Sequence, residues 1–178
     1  LLYQNDYLEI GMDHFALKSD SLFESFQTGK LHRNFMGYSS SKTQLMIGLG
    51  VSSISDSWYS FAQNVKTIEE YYKVLAHDKL PIMRGHLLTN EDLIIRKHIL
   101  NLMCQFETSW ENASDYFEEI PEVISNLKEM ELDGFIIIEK EKIIVTEAGK
   151  PFVRNICMAF DLRLIRKAPE TALFSMTV

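Results

Sequence analysis

Cysteine is scarce in this 178-residue sequence, with two in all, Cys104 and Cys157. Neither stands in a CxxC pair and each is embedded in apolar residues. That excludes a disulfide framework and leads us to expect two buried, reduced thiols, a usage that suits a cytoplasmic protein. The five histidines, His14, His32, His77, His86 and His98, include no HExxH or other ligand spacing, so no metal centre is expected from this chain. No stretch of about 18 apolar residues occurs, which excludes a membrane-spanning helix of the usual kind. A signal-peptide pattern, a nucleophile elbow with Ser-His-Asp order and a phosphate loop are also missing. Basic residues are in deficit, 18 Lys and Arg against 25 Asp and Glu for a net charge of −7. Nucleic-acid binding draws on positive charge facing phosphates, so that class is disfavoured, and any anionic ligand must find a local basic patch. An initiator methionine is absent too. The chain opens in mid-pattern at Leu1-Leu2-Tyr3 and reads as a piece of a longer protein.

What is present is an ordinary globular balance, 46% hydrophobic, 24% charged and 11% aromatic, enough apolar surface to offset chain entropy. The fold class we expect is α+β. Tyr7 to Gly11 reads as a short strand closing an α/β unit, with Met12 to Ala16 at its carboxyl end, where parallel sheets build active sites. Ser19-Asp20-Ser21 caps a helix Leu22 to Thr28 that Gly29 stops. Lys30 to Thr43 reads as a serine-rich loop. Leu45 to Ser55 has the look of a buried strand, weakened by Gly48 and Gly50 unless something approaches the backbone closely. Ser57 to Asn64 is aromatic and irregular. Thr67-Ile68-Glu69-Glu70 opens a helix to about Ala76.

Composition shifts after Arg84-Gly85, and we place a boundary there, with domains 1–85 and 86–178. Thr89 caps an amphipathic helix over 90–106, with Ile95, Ile99, Leu102, Met103 and Phe106 at helical spacing. Pro121 suits the first turn of a second helix that Gly134 stops. Phe135 to Glu139 and Lys142 to Thr146 form a hairpin, and Thr146 caps a last helix over 147–166. Helix, helix, hairpin, helix is the order of a winged-helix-like module.

Three constellations carry possible chemistry. Lys30-Leu31-His32-Arg33-Asn34 concentrates cations in an acidic chain. Arginine grips carboxylates bidentately and histidine donates or shuttles protons, so His32 and Arg33 are candidates for an anionic subsite; a solvated loop is the plainer alternative. Asp13 and His14 set a carboxylate beside an imidazole, although neighbours on an extended chain point to opposite sides. Gly48 to Ser55 offers glycine and serine backbone to a flat ligand, with Ile54 as apolar surface, or else is a tightly packed strand.

Taken in order, Ile10-Gly11-Met12-Asp13-His14-Phe15-Ala16, Leu31-His32-Arg33-Asn34-Phe35, Leu49-Gly50-Val51-Ser52, Ala62-Gln63-Asn64, Arg154-Asn155-Ile156-Cys157-Met158 and the terminal Phe174-Ser175 resemble the C-terminal portion of the oxygen-independent coproporphyrinogen III oxidases. These are radical S-adenosylmethionine enzymes of haem biosynthesis. The resemblance implies that residues 1–85 are the end of a radical-SAM α/β barrel with its substrate-facing loops, and that 86–178 form a mostly helical appended domain. It implies a [4Fe–4S] cluster on a CxxxCxxC motif that this chain does not contain, and two S-adenosylmethionine molecules per parent enzyme. It also implies oxidative decarboxylation of two propionates of coproporphyrinogen III to vinyl groups. In the family, the isoleucine of the Gly-Val-Ser-x-Ile segment contacts the second S-adenosylmethionine, which maps to Ile54. The residue after Arg-Asn-Phe, often glutamine in the family, lies near the same molecule; here it is Met36, whose thioether cannot donate an amide's hydrogen bonds. The family context makes His32, Arg33, Asp13 and His14 candidates for the substrate cavity, on chemical grounds rather than as carried-over roles.

The expectation is therefore a cytoplasmic monomer that binds coproporphyrinogen and packs on an N-terminal barrel, without nucleic acid or membrane. Alternatives are a relative that handles haem without decarboxylating, and a winged-helix binding module. Against the last, the helix around 121–133 carries Glu122, Glu129, Glu131 and Asp133 with one lysine, Lys128, which phosphates would repel.

Overall fold

A loop of two residues between strands allows only an antiparallel return, because a parallel partner needs a crossover of a dozen residues or so. That rule settles the start of the chain in the computed structural model, which describes residues 1–12 and 14–167. Strand β1 (Tyr7–Gly11) turns back into β2 (His14–Leu17) as a hairpin, not as one strand of a parallel unit. Every strand pairing among the described residues is antiparallel. Helix α1 (Ser21–Gln27) follows, its first turn capped by Asp20 accepting from the Leu22 N–H at 2.7 Å.

The expected loop over 30–43 contains a second hairpin, β3 (His32–Asn34) with β4 (Gly37–Ser39). Three-residue polar strands carry too little alternation to be read from sequence. The expected buried strand over 45–55 is a correction in the other direction. Only β5 (Ile54–Asp56) forms there; Met46 makes a single bridge to Asp56, and Leu45, Ile47 and Leu49 are exposed. The backbone instead folds onto itself at Gly48, where a Cβ would lie 2.7 Å from the Ile54 carbonyl oxygen. Asn64 pins this loop, donating to the carbonyls of Gly48 (3.1 Å) and Gly50 (2.9 Å), and the Gly50 N–H donates to the Tyr71 hydroxyl at 3.1 Å.

Strand β6 (Ser60–Asn64), in the segment expected to be irregular, runs between β5 and β7 (Ile82–Leu87). Helix α2 (Ile68–Leu75) lies between them in sequence and starts at Thr67, as expected. The boundary placed after residue 85 falls inside β7.

The long helix α3 (Asn90–Gln105) begins at a capping box between Thr89 and Asp92. Strand β8 (Glu107–Ser109), unforeseen because it is short, joins a sheet ordered β8-β10-β9. Helices α4 (Ile120–Asn126) and α5 (Lys128–Leu132) precede the expected hairpin β9 (Ile136–Ile138) and β10 (Lys142–Val145). The single helix expected over 147–166 is broken. A 3-10 turn at Lys150–Phe152 contains Pro151, then α6 (Val153–Met158) ends and α7 (Leu162–Lys167) restarts. The restart has a local cause: the Asp161 carboxylate accepts the Leu164 N–H at 2.9 Å, an N-cap inside the apolar pattern.

One core unites the chain. Leu102, Ile143, Val153, Ile156 and Phe160 are wholly buried, and Ile10, Ala16 and Leu31 join them from the first hairpins. His98 sits in this core, stacked on Phe160 at 5.5 Å. Its Nε2 lies 2.7 Å from the Asp115 carbonyl, which can only accept, so Nε2 carries the proton and Nδ1 accepts from the Thr108 hydroxyl at 2.7 Å. Burial lowers its pKa, so the ring is neutral.

Asp92 ties the start of α3 to α7. Arg163 donates to it through Nε at 2.7 Å and through a terminal nitrogen at 2.8 Å, and His86 and Thr89 add further contacts. Arg163 holds the Asp92 carboxyl well below the usual carboxylate range, against the cost of burial.

Two outcomes are expected. Leu102→Ala, at a site with no exposure, should lower unfolding free energy by about 3 kcal/mol in urea titration. Because the Asp92 pKa is depressed on folding, its contribution is complete above the unfolded value of about 4 and is lost as pH falls below that. Acid unfolding of Asp92→Asn should be correspondingly flatter below pH of about 4 than that of the parent chain.

Candidate functional site

Alternation along β3 sends His32 and Arg33 to opposite faces, and the two faces meet different neighbours. Arg33 stands opposite Tyr38 on β4, with its guanidinium 4.7 Å from the Tyr38 ring centre. Tyr38 donates its hydroxyl to the Met103 carbonyl of α3 at 2.8 Å, and burial pushes its phenol up to about 12. His14 meets the same ring edge-on at 5.1 Å. Its Nδ1 lies 2.8 Å from the Met12 carbonyl, which can only accept, so Nδ1 is the donor. The structure thus gathers His14 and Arg33 around Tyr38. Asp13 lies outside the described residues.

Cys104 and Cys157, both free and buried, lie within reach of the Arg33 charge. Burial pushes their thiols up to about 11 and about 12, with Arg33 pulling both the other way. They are therefore neutral, and supply no charge to balance the guanidinium. Among the described residues, one Arg33 terminal nitrogen, Nη1, is buried without a hydrogen-bond partner. An unpaired buried donor costs about 1–3 kcal/mol, so this nitrogen is a donor that those residues leave unmatched.

On the other face, His32 is 7% exposed and its ring lies 6.2 Å from that of Trp58. Burial, then the charges of Lys42 and Arg96, lower its pKa, with Asp56 opposing. Arg96 of α3 reaches across to the β5 carboxylate of Asp56 in two hydrogen bonds, 2.6 and 3.1 Å, and to the Trp58 carbonyl at 2.9 Å. Asp56 also accepts the Trp58 N–H at 2.9 Å. Trp58 is thereby held at φ +66°, a left-handed conformation that bulky residues rarely adopt. The guanidinium of Arg96 lies 4.5 Å from the Trp58 ring centre and the ammonium of Lys42 4.2 Å from it.

The third part is the turn between β3 and β4. Phe35 and Met36 project from it; Met36 is 85% exposed, and its N–H is fixed by the Asn34 carboxamide oxygen at 2.8 Å. Phe35 meets Phe61 of β6 edge-on at 5.2 Å. Ile54 begins β5, half-buried and paired with Gln63, whose amide donates to the Ser52 carbonyl at 3.1 Å. Gln63 and Asn64 thus brace the 48–53 loop from which Ile54 emerges. Among the described residues no group of three His, Cys, Asp or Glu side chains could hold a metal ion, and the two thiols are the wrong number and too deeply buried for an iron–sulfur cluster. No described helix is long and apolar enough to cross a membrane.

Sequence reading missed Lys42, Asp56, Trp58, Arg96 and Tyr38. Their contacts span long stretches of chain, 40 residues in the case of Asp56 and Arg96, and no local spacing announces them. The available signal was a tryptophan in a polar segment, Ser57-Trp58-Tyr59, with no apolar period to bury it.

No family model matches the chain. In fold it is similar to part of a radical SAM enzyme. The solved structure described as coproporphyrinogen III oxidase from Escherichia coli, a radical SAM enzyme, superposes with a TM-score of 0.84 at 36% identity, over 92% of this chain and 39% of that one. Among curated proteins the relatives are, in particular, oxygen-independent coproporphyrinogen III oxidases. That of Escherichia coli K12 is 38% identical over 94% of this chain, and that of Synechocystis 35% over 95%. That of Thermostichus vulcanus is 35% identical over 96%. The chain spans about 38% of the length of the first two and 54% of the third.

His32 should titrate below its ordinary value of about 6.5 in an NMR pH series. Since its folded pKa is the lower one, its contribution to stability is complete above about 6.5 and declines as pH falls towards the folded value. A midpoint at or above the ordinary value would contradict the burial and the cationic surroundings described.

Proposed function

We propose that this chain is the C-terminal part of an oxygen-independent coproporphyrinogen III oxidase, a cytoplasmic, monomeric enzyme of haem biosynthesis. The observation that carries the reading is 38% identity spread over 94% of the chain rather than confined to one motif. In the full enzyme, residues 1–85 close the radical-SAM barrel and face the substrate, and 86–178 form the winged-helix-like appended module. The two share one core and β7 runs through the division, so the roles differ more than the packing does. Exposed Leu80, Ile82, Met83 and Leu87 on and beside β7, an edge strand of its sheet, fit a surface that the rest of the barrel covers.

The cluster resides in the part of the enzyme outside this chain. S-adenosylmethionine, when bound, supplies the carbon radical that removes a hydrogen from the substrate's propionate. Two molecules of it are expected, with Ile54 and Met36 lining the second. Both side chains are apolar, one half-buried and one exposed, so they exclude water and shape the site but donate no hydrogen bond. A propionate that has lost this hydrogen becomes a vinyl group by releasing carbon dioxide and one electron. Repeating this on a second propionate gives protoporphyrinogen IX.

The roles open to this chain's residues are positioning ones. Asp13, His14, His32 and Arg33 are proposed to face the substrate. Neutral His32 offers hydrogen bonds rather than charge, His14 presents its Nε2 edge, and Arg33 holds positive potential with one donor unpaired among the described residues. A winged-helix role on DNA is disfavoured further because Lys128, the lysine in that segment, pairs with Glu131 at 2.8 Å.

In the full-length enzyme, Arg33→Ala should lower kcat/KM for coproporphyrinogen by about tenfold or more, as expected for loss of a charge-assisted contact. Unchanged kinetics would remove Arg33 from the site. The 178 residues alone should show no turnover, and turnover by them would overturn the proposal.

A further inference from the structure

The cationic group at Trp58 carries more positive charge than its surroundings balance. Two permanent cations, Lys42 and Arg96, lie within 4.5 Å of the indole centre, against one carboxylate, Asp56. Arg96 is paired with Asp56 and the Trp58 carbonyl, and both members of the ion pair are nearly buried, with 13% and 9% of their side chains exposed. Lys42 is exposed and enters no ion pair among the described residues. Its ammonium rests on the indole, which restrains it without neutralising it. His32, beside the same ring, is held neutral partly by these two charges.

An aromatic track leads away from this point. Arg96 lies 5.0 Å from the Phe61 ring centre, and Phe61 meets Phe35, which is 54% exposed on the turn that carries Met36. Charge at one end and an apolar wall along the side suit a flat ligand with carboxylates at its rim. A small inorganic anion would have no use for the wall. The left-handed backbone of Trp58, fixed at its N–H by Asp56 and at its carbonyl by Arg96, places the indole at this end of the track.

We propose that Lys42, seated on Trp58, anchors a carboxylate of the bound ligand, with Trp58 and Phe61 as the apolar surface beside it. Resting on the function proposed above, the ligand is the tetrapyrrole and the carboxylate one of its propionates. The anchor adds a cation to the site from outside the His32-Arg33 segment, on the opposite face of β3 from Arg33. S-adenosylmethionine also carries a carboxylate, so the test must separate the two sources.

In the full-length enzyme containing this chain, Lys42→Gln should raise KM for coproporphyrinogen about tenfold, the loss of one charge-assisted contact. The kcat and the KM for S-adenosylmethionine should be unchanged, and Lys42→Arg should return the substrate KM to within about twofold of the parent value. Binding of coproporphyrin III, followed by tryptophan quenching, should weaken in parallel. The tetramethyl ester of the same porphyrin, which lacks carboxylates, should bind alike whatever stands at position 42. An unchanged substrate KM would overturn the anchor, as would a rise in KM for S-adenosylmethionine instead or equal weakening of the ester. An unsubstituted enzyme that leaves coproporphyrinogen untouched would overturn the functional reading itself, an outcome distinct from an active enzyme indifferent to Lys42.

Discussion

The ion pair between Arg96 and Asp56 is the constraint on which the site depends. It joins the long helix α3 to β5, holds both ends of the Trp58 peptide, and sets the guanidinium against Trp58 and Phe61. A buried pair of this kind adds little net stability, because desolvation offsets most of the attraction. Removing one partner is another matter, since the other is left charged in a nearly dry place. The pair therefore acts as a geometric specification: α3, the β5–β6–β7 sheet and the 57–59 turn have one relative placement in which both charges are satisfied. His32 and Lys42 take their positions from that placement.

Electrostatics over this region run against the average of the molecule. The chain carries a net −7, and 16 of its 25 acidic residues follow residue 85, among them Glu91 and Glu119, engaged by Arg166, and Asp115, engaged by Lys97. Around β3 the balance reverses. Arg33 faces a phenol and Lys42 an indole, and neither cation has a carboxylate partner among the described residues. For the anionic substrate proposed above, this local balance favours one docking position over diffuse surface binding.

Much of the second half was legible in the sequence because its signals are local. The Thr89 cap, the apolar repeat through Leu102, Pro121 in a first turn and Gly134 after the last turn each act within a few residues, and each holds in the structure. The first half was less legible. The β3–β4 hairpin is three polar residues a side, and the apolar run 45–51 is exposed, since Gly48 and Gly50 let the backbone fold back under the grip of Asn64. Hydrophobic pattern reports burial in the assembled molecule, and this run lacks a covering partner among the described residues. The candidate site divides in the same way. His32, Arg33 and Ile54 stood out as residue types in quoted segments, whereas Lys42, Trp58 and Arg96 become a group only through the fold.

By itself the sequence determined the mixed helix and strand content, the reduced thiols, the cap-defined helices and the ordered segments that match the coproporphyrinogen oxidases. These follow from residue identity and short-range spacing, which one chain contains in full. Tertiary structure alone decided that His32 and Arg33 look in opposite directions, that the last apolar stretch breaks at Asp161, and that a lysine and an arginine distant in sequence share one indole. Such facts depend on which surfaces exclude water together and which charges then remain unpaired, and no linear pattern encodes either.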